Sequence, residues 1–295
     1  MKQFEYIKPT SISEVVSVLN QYKQDGKILA GGTDLLIEMR RTNAKIPKAI
    51  IDVTFINELK GITESNGSVV LKPLVTHTQI QKSNLIKSFA PLLSSAASVI
   101  GAPQIRNRGT VGGNIMNAAT CADSVPPLVA LGAELTLQST GGIRSMPMSE
   151  FFIKPYKTKA NSNEILVEIK FPKLPSNSRS SFIKLGRRNA LSISRLSVAA
   201  VLYQDVKGII TDARIVPGAA LPTWMRVTDA EKMLIGEKPS KKLFEAAGKK
   251  VSEVMISYTG RRWSTEYKEP VIGVLVKRAL EACVVDWKDW NVENN

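Results

Sequence analysis

Apolar residues Ile12, Val15, Val16, Leu19 and Tyr22 recur at helical spacing, which predicts a helix near the start of the chain. Ser11 is its expected N-cap, and Glu14, three residues on, completes a capping box. Asp25 and Gly26 mark a turn, residues 27–30 read as a short buried strand, and Gly31-Gly32 ends it. Residues 34–41 are expected to be helical, with Leu35, Leu36 and Met39 on one face, and residues 49–53 form another strand. A strand, turn, helix and strand in that order indicate an α/β layer.

Further along, residues 69–75 read as a strand and 92–100 as a helix rich in small residues. Residues 101–123, GAPQIRNRGTVGGNIMNAATCAD, hold four glycines and little periodicity, so an irregular and functional segment is expected. Residues 124–131 read as a helix that tolerates Pro126 and Pro127 in its first turn. Strands are expected at 134–138 and 165–171. The proline- and serine-rich stretch 172–180 suggests a domain boundary. Beyond it, 181–185, 194–203 and 209–216 read as three strands. Two helical stripes follow: Leu243, Ala247, Val251 and Val254, then Ile272, Leu275, Val276, Ala279 and Cys283. A three-stranded sheet with helices packed on it accounts for this half.

Composition narrows the function classes. The 295 residues can bury a large core without disulfides or structural metal. Cys121 and Cys283 stand alone, too few for an iron–sulfur cluster, which takes about four thiolates. His77, the single histidine, rules out a histidine-rich zinc site and sits at an expected helix start, where it reads as a capping or surface residue. No apolar run reaches the roughly 20 residues of a membrane span, and the N-terminus lacks a signal peptide's apolar region, so a cytoplasmic protein is expected. The net charge of +14 comes as scattered doublets such as Arg187-Arg188, with 6% aromatic residues. That pattern fits a basic surface, an acidic partner or an anionic ligand better than nucleic acid, which is not expected as a partner.

Two glycine loops carry the candidate chemistry. Ala30-Gly31-Gly32-Thr33-Asp34 follows a strand and precedes a helix, the setting in which backbone N–H groups approach an anion. Thr33 is placed to cap that helix, and Asp34 to favour its dipole or hold a sugar hydroxyl. The second loop is Thr110-Val111-Gly112-Gly113-Asn114, where Thr110 and Asn114 offer side-chain hydrogen bonds and Arg106 and Arg108 lie just upstream. Alone, each more often means an ordinary tight turn. Together, a long ligand with a central pyrophosphate explains both. Neither loop matches G-x-G-x-x-G or a Walker A loop.

The segments KILAGGTDLLIEMR and IGAPQIRNRGTVGGNIMNAATCADSVPPLVALGAEL strongly resemble the FAD-binding subunits of the xanthine dehydrogenase, CO dehydrogenase and nicotinate dehydrogenase family. FEYIKPTSISE, EILVEIKFP, FIKLGRRNALSIS and YKEPVIGVLVKRAL extend the likeness over nearly the whole chain, which looks most like the three-subunit bacterial xanthine (purine) dehydrogenases. The resemblance implies an α+β fold: a two-lobed FAD-binding domain of the vanillyl-alcohol-oxidase (PCMH) type at 1–175, then a C-terminal α+β domain at 176–290 with a three-stranded antiparallel sheet and helices. It implies FAD contacts from Lys27, Ile28, Leu29, Ala30, Gly31, Gly32, Thr33, Asp34 and Leu35 in the first loop. Thr110, Gly113 and Asn114 in the second, with Ile100, Asp123, Leu166 and Lys184, complete the set.

It further implies non-covalent FAD, a small partner subunit with 2Fe–2S clusters and a large one with molybdopterin. A dimer of heterotrimers and NAD as an electron acceptor follow from the same likeness. Cys121 is read as a small buried side chain. Arg195 stands where the family more often has a small or apolar residue, which bears on the flavin or acceptor environment. A stand-alone FAD-dependent oxidoreductase and a flavin-free scaffold subunit are the alternatives. The first lacks a convincing acid–base pair beside the loops, and the intact glycines argue against the second.

Overall fold

The computed structural model describes residues 3–42, 45–188 and 191–284. It opens with β1 (Glu5–Ile7), α1 (Ile12–Tyr22), β2 (Gly26–Leu29), α2 (Leu35–Met39) and β3 (Ala49–Asp52). The three strands form a parallel sheet in the order β1-β3-β2. Ser11 caps α1 by accepting the Glu14 N–H, while the Glu14 carboxylate reaches the Thr10 amide rather than that of Ser11. The capping box is thus displaced by one residue. Helix α2 fully buries none of its residues and leaves Leu36 and Ile37 45% and 58% exposed.

The chain continues through β4 (Ile62–Ser65), β5 (Ser68–Leu71), α3 (His77–Lys82), α4 (Asn84–Phe89), α5 (Pro91–Ser98), α6 (Pro103–Arg108), α7 (Val111–Asn117) and α8 (Val125–Ala130). Then come β6 (Glu134–Ser139), β7 (Gly142–Pro147), the hairpin β8 (Phe152–Lys154) with β9 (Lys157–Thr158), and β10 (Ile165–Pro172). A second, antiparallel sheet orders β4-β5-β10-β6-β7. Helices α6 and α7 correct the expectation of an irregular 101–123 segment. Pro103 opens α6, where its missing N–H costs nothing, and the Thr110 hydroxyl caps α7.

The last part comprises β11 (Ser178–Gly186), β12 (Ser194–Gln204), β13 (Ile210–Gly218), α9 (Thr228–Lys232), α10 (Lys241–Thr259) and α11 (Thr265–Glu281). Its antiparallel sheet, β11-β12-β13, is covered on both faces. Leu196, Val198, Ala200 and Leu202 of β12 face α10 and α11, within a core that includes Phe244, Val251, Ile272 and Val276. Ala199 and Val201, of opposite parity, join Val216 and Trp224 in the core of the first domain with Leu92, Leu128 and Phe171. Burial on both faces explains why β12 reads as an almost unbroken apolar run. Each buried Leu or Val there contributes about 1.5–3 kcal/mol. Trp224 crosses the joint to pack edge-on against Phe152, ring centres 4.5 Å apart, and Arg214 donates to the Ala130 carbonyl at 3.0 Å.

Candidate functional site

The two glycine loops lie against one another. A Cβ on Gly31 would fall 2.1 Å from the Arg108 carbonyl oxygen and 2.9 Å from Gly109 Cα, so only glycine lets the first loop meet the second. Gly32 has φ +72°, a conformation that excludes most other residues. On the far side, a Cβ on Gly112 would strike Pro73 at 2.4 Å. Between the loops runs a cleft of about 650 Å³, within the usual range for a cofactor-sized ligand.

Its apolar walls include Ile28, Val53, Leu59, Leu74, Ile165 and Leu166. Ile165 and Leu166 are neighbours in β10, where a register shift after Leu166 breaks the alternation. Of the residues expected to contact FAD, Lys27, Ile28, Ala30, Gly31, Gly32, Thr33, Asp34, Leu35, Thr110, Gly113, Asn114 and Leu166 all line this cleft. Leu29, Ile100, Asp123 and Lys184 do not.

The loops differ in how their polar groups are used. In the first, among the described residues, no protein acceptor meets the backbone N–H of Gly31, Gly32, Thr33, Asp34 or Leu35. Consecutive unpaired amides in a cleft wall make an anion-binding concavity. Thr33 does not cap α2. Asp34 occupies that position and makes no side-chain cap bond. Partial desolvation in the cleft wall, then the like charge of Glu38, raises the Asp34 carboxyl above its ordinary range.

In the second loop the amides of Val111, Gly112, Gly113 and Asn114 are bonded within the protein. The side chains expected to reach a ligand are engaged too: Thr110 caps α7, and Asn114 Oδ1 accepts from Ser124. Arg106 is also occupied, donating to the carbonyls of Ile100 and Gly101 at 3.0 and 3.2 Å, so Ile100 serves as a backbone anchor for it. The backbone of this loop therefore offers no run of unpaired amides like that of the first.

Asp123 and Lys184 form a second centre at the joint between the domains. Lys184 Nζ donates to Asp123 Oδ2 and to the Val99 carbonyl, both at 2.8 Å, and Ser194 donates to Asp123 Oδ1. The two side chains are 5% and 9% exposed, so the charges answer each other away from water. Burial raises the Asp123 carboxyl, while Lys184 and Ser194 pull it back. Half-buried Cys121 feels burial first and then Asp123, and both push its thiol up. A thiol held protonated is a poor nucleophile.

Residues 2–174 match the FAD-binding domain of molybdopterin dehydrogenases, and residues 181–283 match the CO dehydrogenase flavoprotein C-terminal domain. The chain is 32% identical to the carbon monoxide dehydrogenase medium chain of Hydrogenophaga pseudoflava over 95% of its own length and 96% of the relative's. It is equally 32% identical to the xanthine dehydrogenase FAD-binding subunit of Escherichia coli O157:H7, over 95% of each. The chain belongs to the FAD-binding medium subunits of the molybdenum hydroxylases. The solved carbon monoxide dehydrogenase of H. pseudoflava superposes with a TM-score of 0.89, covering 96% of this chain and 97% of that one.

This FAD-binding subunit also carries cleft residues that the sequence did not mark. His77 is 2% exposed, in the cleft wall beside Gly109, and its Nδ1 meets no hydrogen-bond partner. The expectation of a capping or surface role is therefore corrected. Thr76 is the cap, with Gln79 closing a reciprocal capping box. The T-x-x-Q spacing was the available signal. Glu164, 7% exposed, is held below the usual carboxylate range first by its bonds to Arg144, the shorter at 2.6 Å.

Burial, and then the charge of Arg106, lower the His77 imidazole from 6.5 to about 4. A depressed value means that the unfolded chain binds this proton first as pH falls. The contribution to stability is therefore complete above 6.5 and is lost between 6.5 and about 4. The expected loss is roughly 3 kcal/mol. Urea unfolding at pH 7 and 4.5 should show it, and His77→Phe should flatten that part of the profile. An unchanged profile in the variant rules out His77 as the source.

Proposed function

We propose that this subunit holds FAD non-covalently between its glycine loops and relays electrons within a multi-subunit molybdenum hydroxylase. Electrons reach it from 2Fe–2S clusters in a small partner subunit, fed by a large molybdopterin subunit. They leave to NAD or another acceptor, and the assembly is a dimer of heterotrimers. The observation that carries this reading is the run of unpaired amides from Gly31 to Leu35 in the wall of a cleft of cofactor size. The names of the relatives, medium chains and FAD subunits of dehydrogenases, support the partners.

When bound, FAD supplies chemistry that accepts electrons singly and releases them as a pair. The amides of Gly31 to Leu35 would donate to the pyrophosphate, which the backbone can approach closely because Gly31 and Gly32 lack side chains. Ile28, Leu74 and Leu166 would exclude water from the cleft around the bound group. His77 stands in the same cleft wall and adds no charge, because burial and Arg106 disfavour its protonated form. Lys184 keeps a cation at the joint, where it favours negative charge developing nearby, and Asp123 fixes its position.

The test is the visible absorption spectrum of the purified chain, followed by denaturation and identification of what is released. A yellow protein that releases FAD on denaturation is expected. A colourless protein that cannot be reconstituted with FAD would sink the reading.

A further inference from the structure

Where β12 begins, the chain gathers positive charge that, among the described residues, no carboxylate pairs with. The pairing of β11 with β12 slips so that Leu185 opposes Leu196 while Gly186 opposes Ser194, which makes Arg195 the extra residue of a β-bulge. Bulges re-aim side chains. Ser194 turns to Asp123, whereas Arg195 stacks on Tyr267 of α11, its guanidinium carbon 4.7 Å from the ring centre.

Lys268, the next residue of α11, is half-buried, and its Nζ donates to the Ala219 carbonyl at 2.8 Å. Burial, then the charges of Arg195 and Arg262, push its ammonium below the usual range. Arg262 uses Nε on the Thr259 carbonyl. Among the described residues, no carboxylate lies within ion-pair distance of Arg195, Arg262 or Lys268. The neighbouring Arg261 and Glu269 pair with each other at 2.8 Å. Of the aromatic residues here, Tyr267, 42% exposed, lies under Arg195, and Trp263, 89% exposed, follows Arg262 in the chain.

Three like charges held together, one of them partly desolvated, repel unless an anion joins them. Guanidinium forks suit phosphate oxygens, and exposed rings beside them suit a base. We propose that Arg195, Arg262 and Lys268, with Tyr267 and Trp263, bind the diphosphate and base of a nucleotide, at a site separate from the glycine-lined cleft. None of the five residues lines that cleft. The bulge sets the site one residue away from the Ser194–Asp123–Lys184 network, so a nucleotide there lies beside the joint between the domains.

The probes are ADP and inorganic pyrophosphate, titrated calorimetrically into the full chain saturated with FAD, which closes the cleft to ADP. Saturable ADP binding is expected, weakened roughly tenfold or more by Arg195→Gln and by Lys268→Met. Lys249→Gln, an exposed lysine on α10 with the same change in charge, should leave it nearly unchanged. Pyrophosphate should bind more weakly than ADP, and Trp263→Ala should weaken ADP alone.

Absence of saturable ADP binding overturns the proposal. So does equal loss in the Lys249→Gln control, or equal affinity for ADP and pyrophosphate. Should the chain take up no FAD, the flavin reading fails. The Arg195→Gln and Lys268→Met comparison still decides the nucleotide site, because both residues lie outside the cleft.

Discussion

Gly31→Ala is expected to weaken FAD retention by roughly 100-fold or more, about 3 kcal/mol, while most of the fold persists. The added methyl would stand 2.1 Å from the carbonyl oxygen of Arg108. That atom is backbone, flanked by a glycine already tied by the Gly109 to Ile105 bond and by the His77 to Gly109 bond, so it has little room to retreat. Gly31 must move instead, and the row of free amides moves with it. Gly141→Ala is the control, because its methyl would meet only the Ser139 hydroxyl at 3.6 Å. FAD content after gel filtration and the urea midpoint separate ligand loss from unfolding. A Gly31→Ala protein that keeps its FAD and its affinity would remove the first loop from the site.

Lys184→Met should lower stability by about 3–5 kcal/mol, since it strands the Asp123 carboxylate in a buried joint. The size of the deficit should depend on pH. An unpartnered buried carboxyl has its folded-state value raised, so it favours folding while protonated and opposes it once ionised. The deficit is therefore smallest at low pH, where Asp123 is protonated with or without Lys184, and grows as pH rises past the already raised point at which Asp123 ionises beside Lys184. Replacing both partners, as Asp123→Leu with Lys184→Met, should recover much of the loss, because no charge is then left buried. Denaturant unfolding of the three variants at pH 5 and pH 8 checks this. A Lys184→Met deficit that is flat across pH, or unrelieved in the double variant, would show that the pair does not govern the joint.

Much of this was legible in the sequence where a local rule decides structure. Ser11 and the apolar spacing fixed α1, and the apolar run of β12 was readable because burial on two faces leaves no polar alternation. The glycine loops were readable because their residues are dictated by backbone approach, and both do line one cleft. Helices α6 and α7 were missed because PQIRNR and VGGNIMN have weak intrinsic propensity; Pro103, Thr110 and the surrounding core create them. Burial of His77 depends on Gly109 lying over it, and the capture of Asn114 by Ser124 depends on a fold back of the chain. Asp123 and Lys184 stand 61 residues apart, a distance at which no periodicity reports a partner.

The sheet β11-β12-β13 with a core on each side has a consequence for synthesis. The apolar layer of the first domain includes Ala199, Val201, Val216 and Trp224, so it stays open after residue 174 has been made. About 50 more residues must follow before Trp224 exists, which at ribosomal speed is roughly 3 to 10 s. For that interval the nascent chain carries an uncovered hydrophobic face that it cannot close by itself, and a chaperone has its opportunity there.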